Sequence, residues 1–140
     1  MNYTLQPSKS KLSIMIVEDD VDARETLCLM VKMKNPDASI YSAENGSIGM
    51  DLFKKNTPDI VITDVNMPVM NGIEMAGEIK SIKADTKFIV LTAYNEKIFF
   101  QKFSEIGFSS YILKPIEFKK LFVAIEKCIA EIMLNKSNVP

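Results

Sequence analysis

Five short apolar runs, each followed by an amphipathic stretch, organise the chain. The runs cover residues 12–17, 38–42, 59–63, 87–92 and 108–113. Most are rich in β-branched and aromatic residues and show little polar alternation, the pattern of strands covered on both faces. Helices are expected between them. Over residues 20–34, Ala23, Leu27, Met30 and Val31 fall near the spacing of one buried stripe, and Pro36 ends the segment. Asp20 is expected to cap it. A second helix opens at Asn45 or Gly46, carries Ile48, Leu52 and Phe53, and ends near Lys55 before the Asn56-Thr57-Pro58 loop. Asn71-Gly72 makes a turn into a third helix over residues 73–82. A fourth covers residues 96–106, with Gly107 as its C-cap. The last covers residues 117–134, with Leu121, Phe122, Ile125, Ile129 and Ile132 on one face. Residues 1–11 are expected to form a loose polar arm and residues 135–140 a frayed tail around one domain, residues 12–134.

Strands alternating with helices predict an α/β fold, a parallel sheet with helices on both faces and right-handed crossovers. Such sheets bind ligands in a crevice at the carboxyl ends of their strands. Those ends carry unusual residues here. Glu18 and Asp19 follow the first run, Asp64 the third, Thr92 closes the fourth, and Lys114-Pro115 follows the fifth. Buried strands do not ordinarily end in bare carboxylates. If the strands are parallel, three acids, a hydroxyl and an ammonium meet in one place.

Composition narrows the chemistry. The 140 residues match about one domain, and 47% apolar content can fill a core. A net charge of −1 gives no global field towards nucleic acid or membrane, so no direct nucleic-acid contact is expected unless a partner domain supplies it. No apolar stretch approaches the roughly 20 residues that span a bilayer, and the first residues lack the apolar segment of a signal peptide. A cytoplasmic protein is expected. Cys28 and Cys128 lie far apart and read as two reduced helix cysteines. The absence of histidine excludes a Ser-His-Asp triad, a histidine metal site, and a phosphohistidine donor within this chain.

Taken in order, Glu18-Asp19, Asp64 with Met67-Pro68 and Gly72, Thr92-Ala93, and Tyr111 with Lys114-Pro115 resemble the motifs of response-regulator receiver domains. These are the phosphoacceptor modules of two-component phosphorelays, the CheY-like superfamily. The resemblance covers residues 12–134. It implies a flavodoxin-like (βα)5 fold with strand order 2-1-3-4-5. It implies Asp64 as the nucleophile that becomes an aspartyl phosphate. It implies Mg²⁺ held by Glu18, Asp19, Asp64 and the backbone carbonyl of Asn66, with Asp19 a direct ligand and Glu18 acting largely through water. Lys114, aimed by a cis bond to Pro115, would meet a phosphoryl oxygen as a point charge. Thr92 and the backbone N–H of Ala93 would bind the same group. Thr92 and Tyr111 would then switch the surface of helix four, strand five and helix five; a strand aromatic such as Tyr111 is otherwise ordinary core. Asn66 and Tyr94 stand at positions that govern the lifetime of the phosphorylated form, and a bulky Tyr94 would shield the acyl phosphate from water. A sensor histidine kinase or phosphotransfer protein would be the donor. A target or output domain would read the switched surface, and a phosphorylation-dependent homodimer belongs to the same expectation.

Two positions depart from the family's pattern. Glu18 replaces the first of two aspartates, and Asn71 stands where Asp often precedes the glycine. Two readings compete, one sharing the fold and one sharing the aspartyl phosphate chemistry. One is a pseudo-receiver, a binding module that is never phosphorylated; the complete set of site residues argues against it. The other is a phosphatase of the haloacid-dehalogenase kind, which needs an acid two residues after its nucleophile, where this chain has Asn66. The chain is therefore expected to catalyse only its own phosphorylation and hydrolysis. Finally, Ile98, Phe99 and Phe100 are consecutive, and neighbours on a helix cannot all face the sheet. Phe100, or else Phe99, is expected to be exposed in a partner interface.

Overall fold

The computed structural model describes residues 11–93 and 97–137. Five strands, β1 (Ser13–Val17), β2 (Ser39–Ala43), β3 (Ile60–Asp64), β4 (Lys87–Thr92) and β5 (Ser110–Leu113), alternate with five helices. These are α1 (Val21–Lys34), α2 (Gly46–Asn56), α3 (Gly72–Ile82), α4 (Lys97–Ile106) and α5 (Phe118–Ser137). All strands pair in parallel in the order β2-β1-β3-β4-β5, the flavodoxin-like order of the expectation.

The apolar runs become strands because both sheet faces are covered. Ile14, Ile16, Ile60, Ile62, Ile89 and Leu91 point to one face and pack against α1 and α5 through Leu27, Val31, Leu121 and Ile125. Met15, Val17, Val61, Phe88 and Val90 point to the other, against Met50 and Phe53 of α2, Met75 and Ile79 of α3 and Phe103 of α4. Each such side chain contributes about 1.5–3 kcal/mol on burial.

Polar side chains set where the helices start. Asp20 caps α1, accepting from the Ala23 N–H at 2.8 Å. Asn45 caps α2 through the Ile48 N–H at 2.9 Å. Asn71 and Glu74 form a reciprocal capping box on α3. Gly107, at φ 104°, donates to the Phe103 carbonyl and stops α4.

Three details differ from the sequence reading. Ile48 is 38% exposed, because Gly49 and Met50 take the buried face of α2. β5 begins at Ser110, two positions after the apolar run starts at Phe108. α5 continues past 134 to Ser137, with Lys136 complementing the helix dipole in its last turn. The first ten residues, expected as a loose arm, lie outside the described residues, as do residues 138–140.

Candidate functional site

The sheet order makes β1 and β3 neighbours, with Val17 beside Thr63. After β1 the chain turns into α1 on one face; after β3 it turns into α3 on the other. The crevice between these exits is where the acids stand.

Asp64 ends β3 and is 7% exposed. Its Oδ1 accepts the Val65 N–H at 2.8 Å, which leaves Oδ2 towards Lys114 Nζ at 3.0 Å. The backbone around it is crowded. The Thr63 hydroxyl donates to the Asp64 carbonyl at 2.7 Å. The Gly72 N–H donates to the Val65 carbonyl at 2.8 Å, and a Cβ on Gly72 would lie 2.3 Å from the Asp64 carbonyl oxygen. Only glycine allows that approach. Between them, Val69 takes a left-handed φ of 72° while the Met70 N–H donates to the Pro68 carbonyl. This strained γ-turn holds the loop after the acid in one shape.

Glu18 is 2% exposed. Its Oε2 accepts the Asp20 N–H at 3.0 Å and its Oε1 lies 3.4 Å from Lys114 Nζ. Burial, reinforced by the charge of Asp64, holds its carboxyl above the usual carboxylate range, against the pull of the Asp20 N–H and Lys114. Asp19 is exposed at the rim. Oxygens of Glu18, Asp19 and Asp64 lie within 4.8 Å of one another. Opposed ligands of a Mg²⁺ ion sit roughly 4 Å apart, so an all-oxygen cluster of three carboxylates of this width fits a small divalent cation.

Lys114 is aimed by β5. Its N–H donates to the Thr92 carbonyl at 2.8 Å, and its peptide bond to Pro115 is cis. Burial alone would lower the Lys114 pKa. The hydrogen bond and charge of Asp64, joined by Glu18, outweigh it and move the pKa up, so the group is an ammonium. Thr92 is fully buried at the end of β4, and Asp64 pairs with Leu91 one position before it. Ala93 and Asn66 are exposed on the loops after β4 and β3. Tyr111 is half-buried on β5, its ring 4.9 Å from Phe100 and 5.3 Å from Phe108. Tyr94 lies outside the described residues.

The structure thus brings oxygens of Glu18, Asp19 and Asp64 together, sets Lys114 on Glu18 and Asp64, and places Thr92 at the end of β4 and Ala93 and Asn66 on the loops after β4 and β3. It adds residues that the sequence did not single out. The Arg24 guanidinium donates to the Glu18 carbonyl at 2.7 Å and ties α1 to the acid pair. The Gly46 N–H donates to the Met70 carbonyl, with no room for a Cβ, and ties α2 to the loop after β3. The glycines that open α2 and α3 were the available signal.

Residues 14–126 match the family described as response regulator receiver domain. The transcriptional regulatory protein YdfI of Bacillus subtilis is 35% identical over 83% of this chain and 54% of its own length. The chemotaxis protein CheY of the same organism is 31% identical over 83% of this chain and 96% of its own. A solved N-terminal domain of an uncharacterized protein from Wolinella succinogenes superposes with a TM-score of 0.81 at 39% identity, over 89% of this chain and 98% of that one. The chain spans about half the length of several curated relatives, YdfI among them. With the fold, the strand order and the acidic crevice agreeing with these matches, the chain belongs to the response regulator receiver domain family.

Proposed function

We propose that this chain is the phosphoacceptor of a two-component phosphorelay, with Asp64 as the acceptor. The observation that carries the reading is the Asp64 carboxylate in a crevice, 3.0 Å from Lys114 Nζ, with Glu18 and Asp19 oxygens within 4.8 Å. A carboxylate oxygen of Asp64 forms a bond to phosphorus as the P–N bond of a partner's phosphohistidine breaks. The imidazole nitrogen leaves with the electron pair and takes up a proton. Water later attacks the phosphorus, the bond from phosphorus to the Asp64 oxygen breaks, and inorganic phosphate leaves with the carboxylate restored, so the chain turns over no separate metabolite.

Two anions must meet in this step. Glu18, Asp19, Asp64 and the Asn66 carbonyl would hold Mg²⁺, which supplies the countercharge when bound. Lys114, now paired to Asp64, is positioned to follow the transferred charge as an ammonium. Thr92 and the Ala93 N–H are placed at the end of β4 to donate to the phosphoryl oxygens. Glu18 keeps one oxygen on the Asp20 N–H, which makes it an orienting acid as much as a ligand.

The output belongs to the same proposal. Thr92 and Tyr111 lie on adjacent strands, and Tyr111 packs edge to face on Phe100 of α4. A phosphoryl group that draws Thr92 in would let Tyr111 repack and change the face formed by α4, β5 and α5. A target, an output domain or a second copy would read that face. The donor would be a sensor histidine kinase or phosphotransfer protein, and the setting cytoplasmic. Relatives named as transcriptional regulators support a role upstream of gene control. No helix among the described residues is long and apolar enough to cross a membrane.

The test is Mg²⁺-dependent labelling by acetyl phosphate or a beryllofluoride complex. Asp64→Asn is expected to abolish labelling with the thermal transition retained. Labelling that persists in that variant, or that needs no divalent cation, would overturn the reading.

A further inference from the structure

A second polar cleft opens at the other end of the sheet. About 260 Å³ in volume, it lies at the amino ends of β4 and β5 and is lined by Lys80, Thr86, Lys87, Ser109, Lys127 and Glu131. β4 separates it from the acidic crevice by roughly 20 Å.

Three ammonium groups from three elements converge on this cleft, and one carboxylate answers them. Lys87 Nζ lies 3.5 Å from Glu131 Oε1, which also accepts from the Ser109 hydroxyl at 3.3 Å. Lys80 Nζ donates to the Ala84 carbonyl at 3.1 Å and stands 5.8 Å from the Phe88 ring centre. Lys127 Nζ donates to the Ser109 carbonyl at 3.1 Å. The nearby Asp85 carboxylate is taken by Lys83 at 3.0 Å. Among the described residues, neither Lys80 nor Lys127 pairs with a carboxylate. Each ammonium offers three donor hydrogens, so most of them face the cleft or solvent. Partial burial, followed by the charge of Lys87, holds the Lys80 pKa below the ordinary lysine value, against the opposing pull of Asp85.

We propose that this cleft binds a small phosphate-bearing anion, with Lys80, Lys87 and Lys127 as its ligands. Three ammoniums against one carboxylate leave two positive charges. A phosphomonoester carries close to two negative charges and three terminal oxygens, and lysines bind such oxygens as point charges. The Thr86 and Ser109 hydroxyls already donate to the Lys83 carbonyl and to Glu131, so the ammonium groups carry the recognition. A carboxylate would neutralise half of that charge, and the cleft is smaller than the sites that enclose drug-sized ligands.

The experiment is an amide NMR titration of the whole chain with inorganic phosphate, without divalent cation, in a non-phosphate buffer at fixed ionic strength. Saturable shifts are expected at Lys87, Ser109 and Lys127, distinct from any at the acidic crevice. Binding should be at least tenfold weaker in Lys80→Gln/Lys127→Gln. Should that pair disturb the fold, Lys127→Gln alone, at an exposed position, should weaken binding measurably. Linear shifts, equal shifts with chloride, or unchanged binding in the variants would overturn the site. Tighter binding of a phosphoserine peptide than of inorganic phosphate would overturn the small-anion assignment.

Discussion

Gly72 shows how closely the Asp64 backbone is held. Its missing Cβ leaves room for the Asp64 carbonyl, and its N–H reaches the Val65 carbonyl. In Gly72→Ala the new methyl would meet backbone rather than a flexible side-chain end, so the loop must move. Overpacking of this kind costs about 1–3 kcal/mol. The expected outcome is a lower urea midpoint together with slower Asp64 labelling. Unchanged labelling in a destabilised variant would mean that the loop yields without moving the carboxylate. Glu18 is equally constrained, between the Asp20 N–H and Lys114. Its extra methylene relative to aspartate is accommodated by this double tether.

Among the elements, α3 depends most visibly on its start. It follows the strained turn at Val69, and its first turn is closed by the Asn71–Glu74 box. Asn71→Ala removes the acceptor for the Glu74 N–H and should cost about 1 kcal/mol, a fall in Tm of roughly 4 °C for a domain of this size. Asn71→Asp should be close to neutral, since both residues cap equally well and an acid suits a helix N-terminus. Thermal denaturation of the two variants side by side checks both statements. α4 is organised differently. Phe103 is fully buried and Phe99 half-buried on the sheet side, while Ile98 is 59% and Phe100 46% exposed. The expected exposure of Phe100 is met, yet its ring is not idle: it packs on Phe108 at 5.6 Å and on Tyr111 at 4.9 Å.

At the scale of the whole molecule, that packing links the surface of α4 to the strand that carries the candidate switch tyrosine. Aromatic pairs of this geometry contribute about 0.5–1.5 kcal/mol beyond burial, comparable to part of the bias needed to move a two-state equilibrium, where reversal from 1:99 to 99:1 takes about 5.5 kcal/mol. Phe100→Ala should therefore weaken binding of the downstream partner while leaving the rate of Asp64 labelling unchanged. Partner affinity measured by calorimetry with beryllofluoride-treated protein tests this; equal affinity for variant and parent would remove Phe100 from the interface. The molecule is also polar end to end, with acids at the carboxyl ends of the strands and the three-lysine cleft at the amino ends. A net charge of −1 hides that separation.

Local pattern was enough to determine the element types, the α/β class and the identity of the acids, because strand and helix periodicities are local and buried carboxylates at strand ends are rare. The cap at Asp20 was legible for the same reason, since a cap bonds within its own first turn, while Asn45 was one of two possible starts for its helix and Asn71 was read as a turn. Only the tertiary structure decided the rest. Ile48 is exposed because α2 rotates to bury a glycine and a methionine, which no periodicity states. Arg24 on Glu18, Gly72 on Asp64 and Phe100 on Tyr111 join residues that sequence separation conceals. The lysine cleft joins Lys80 and Lys87, which follow one another from α3 into β4, to Lys127 of α5, which only the tertiary fold brings there.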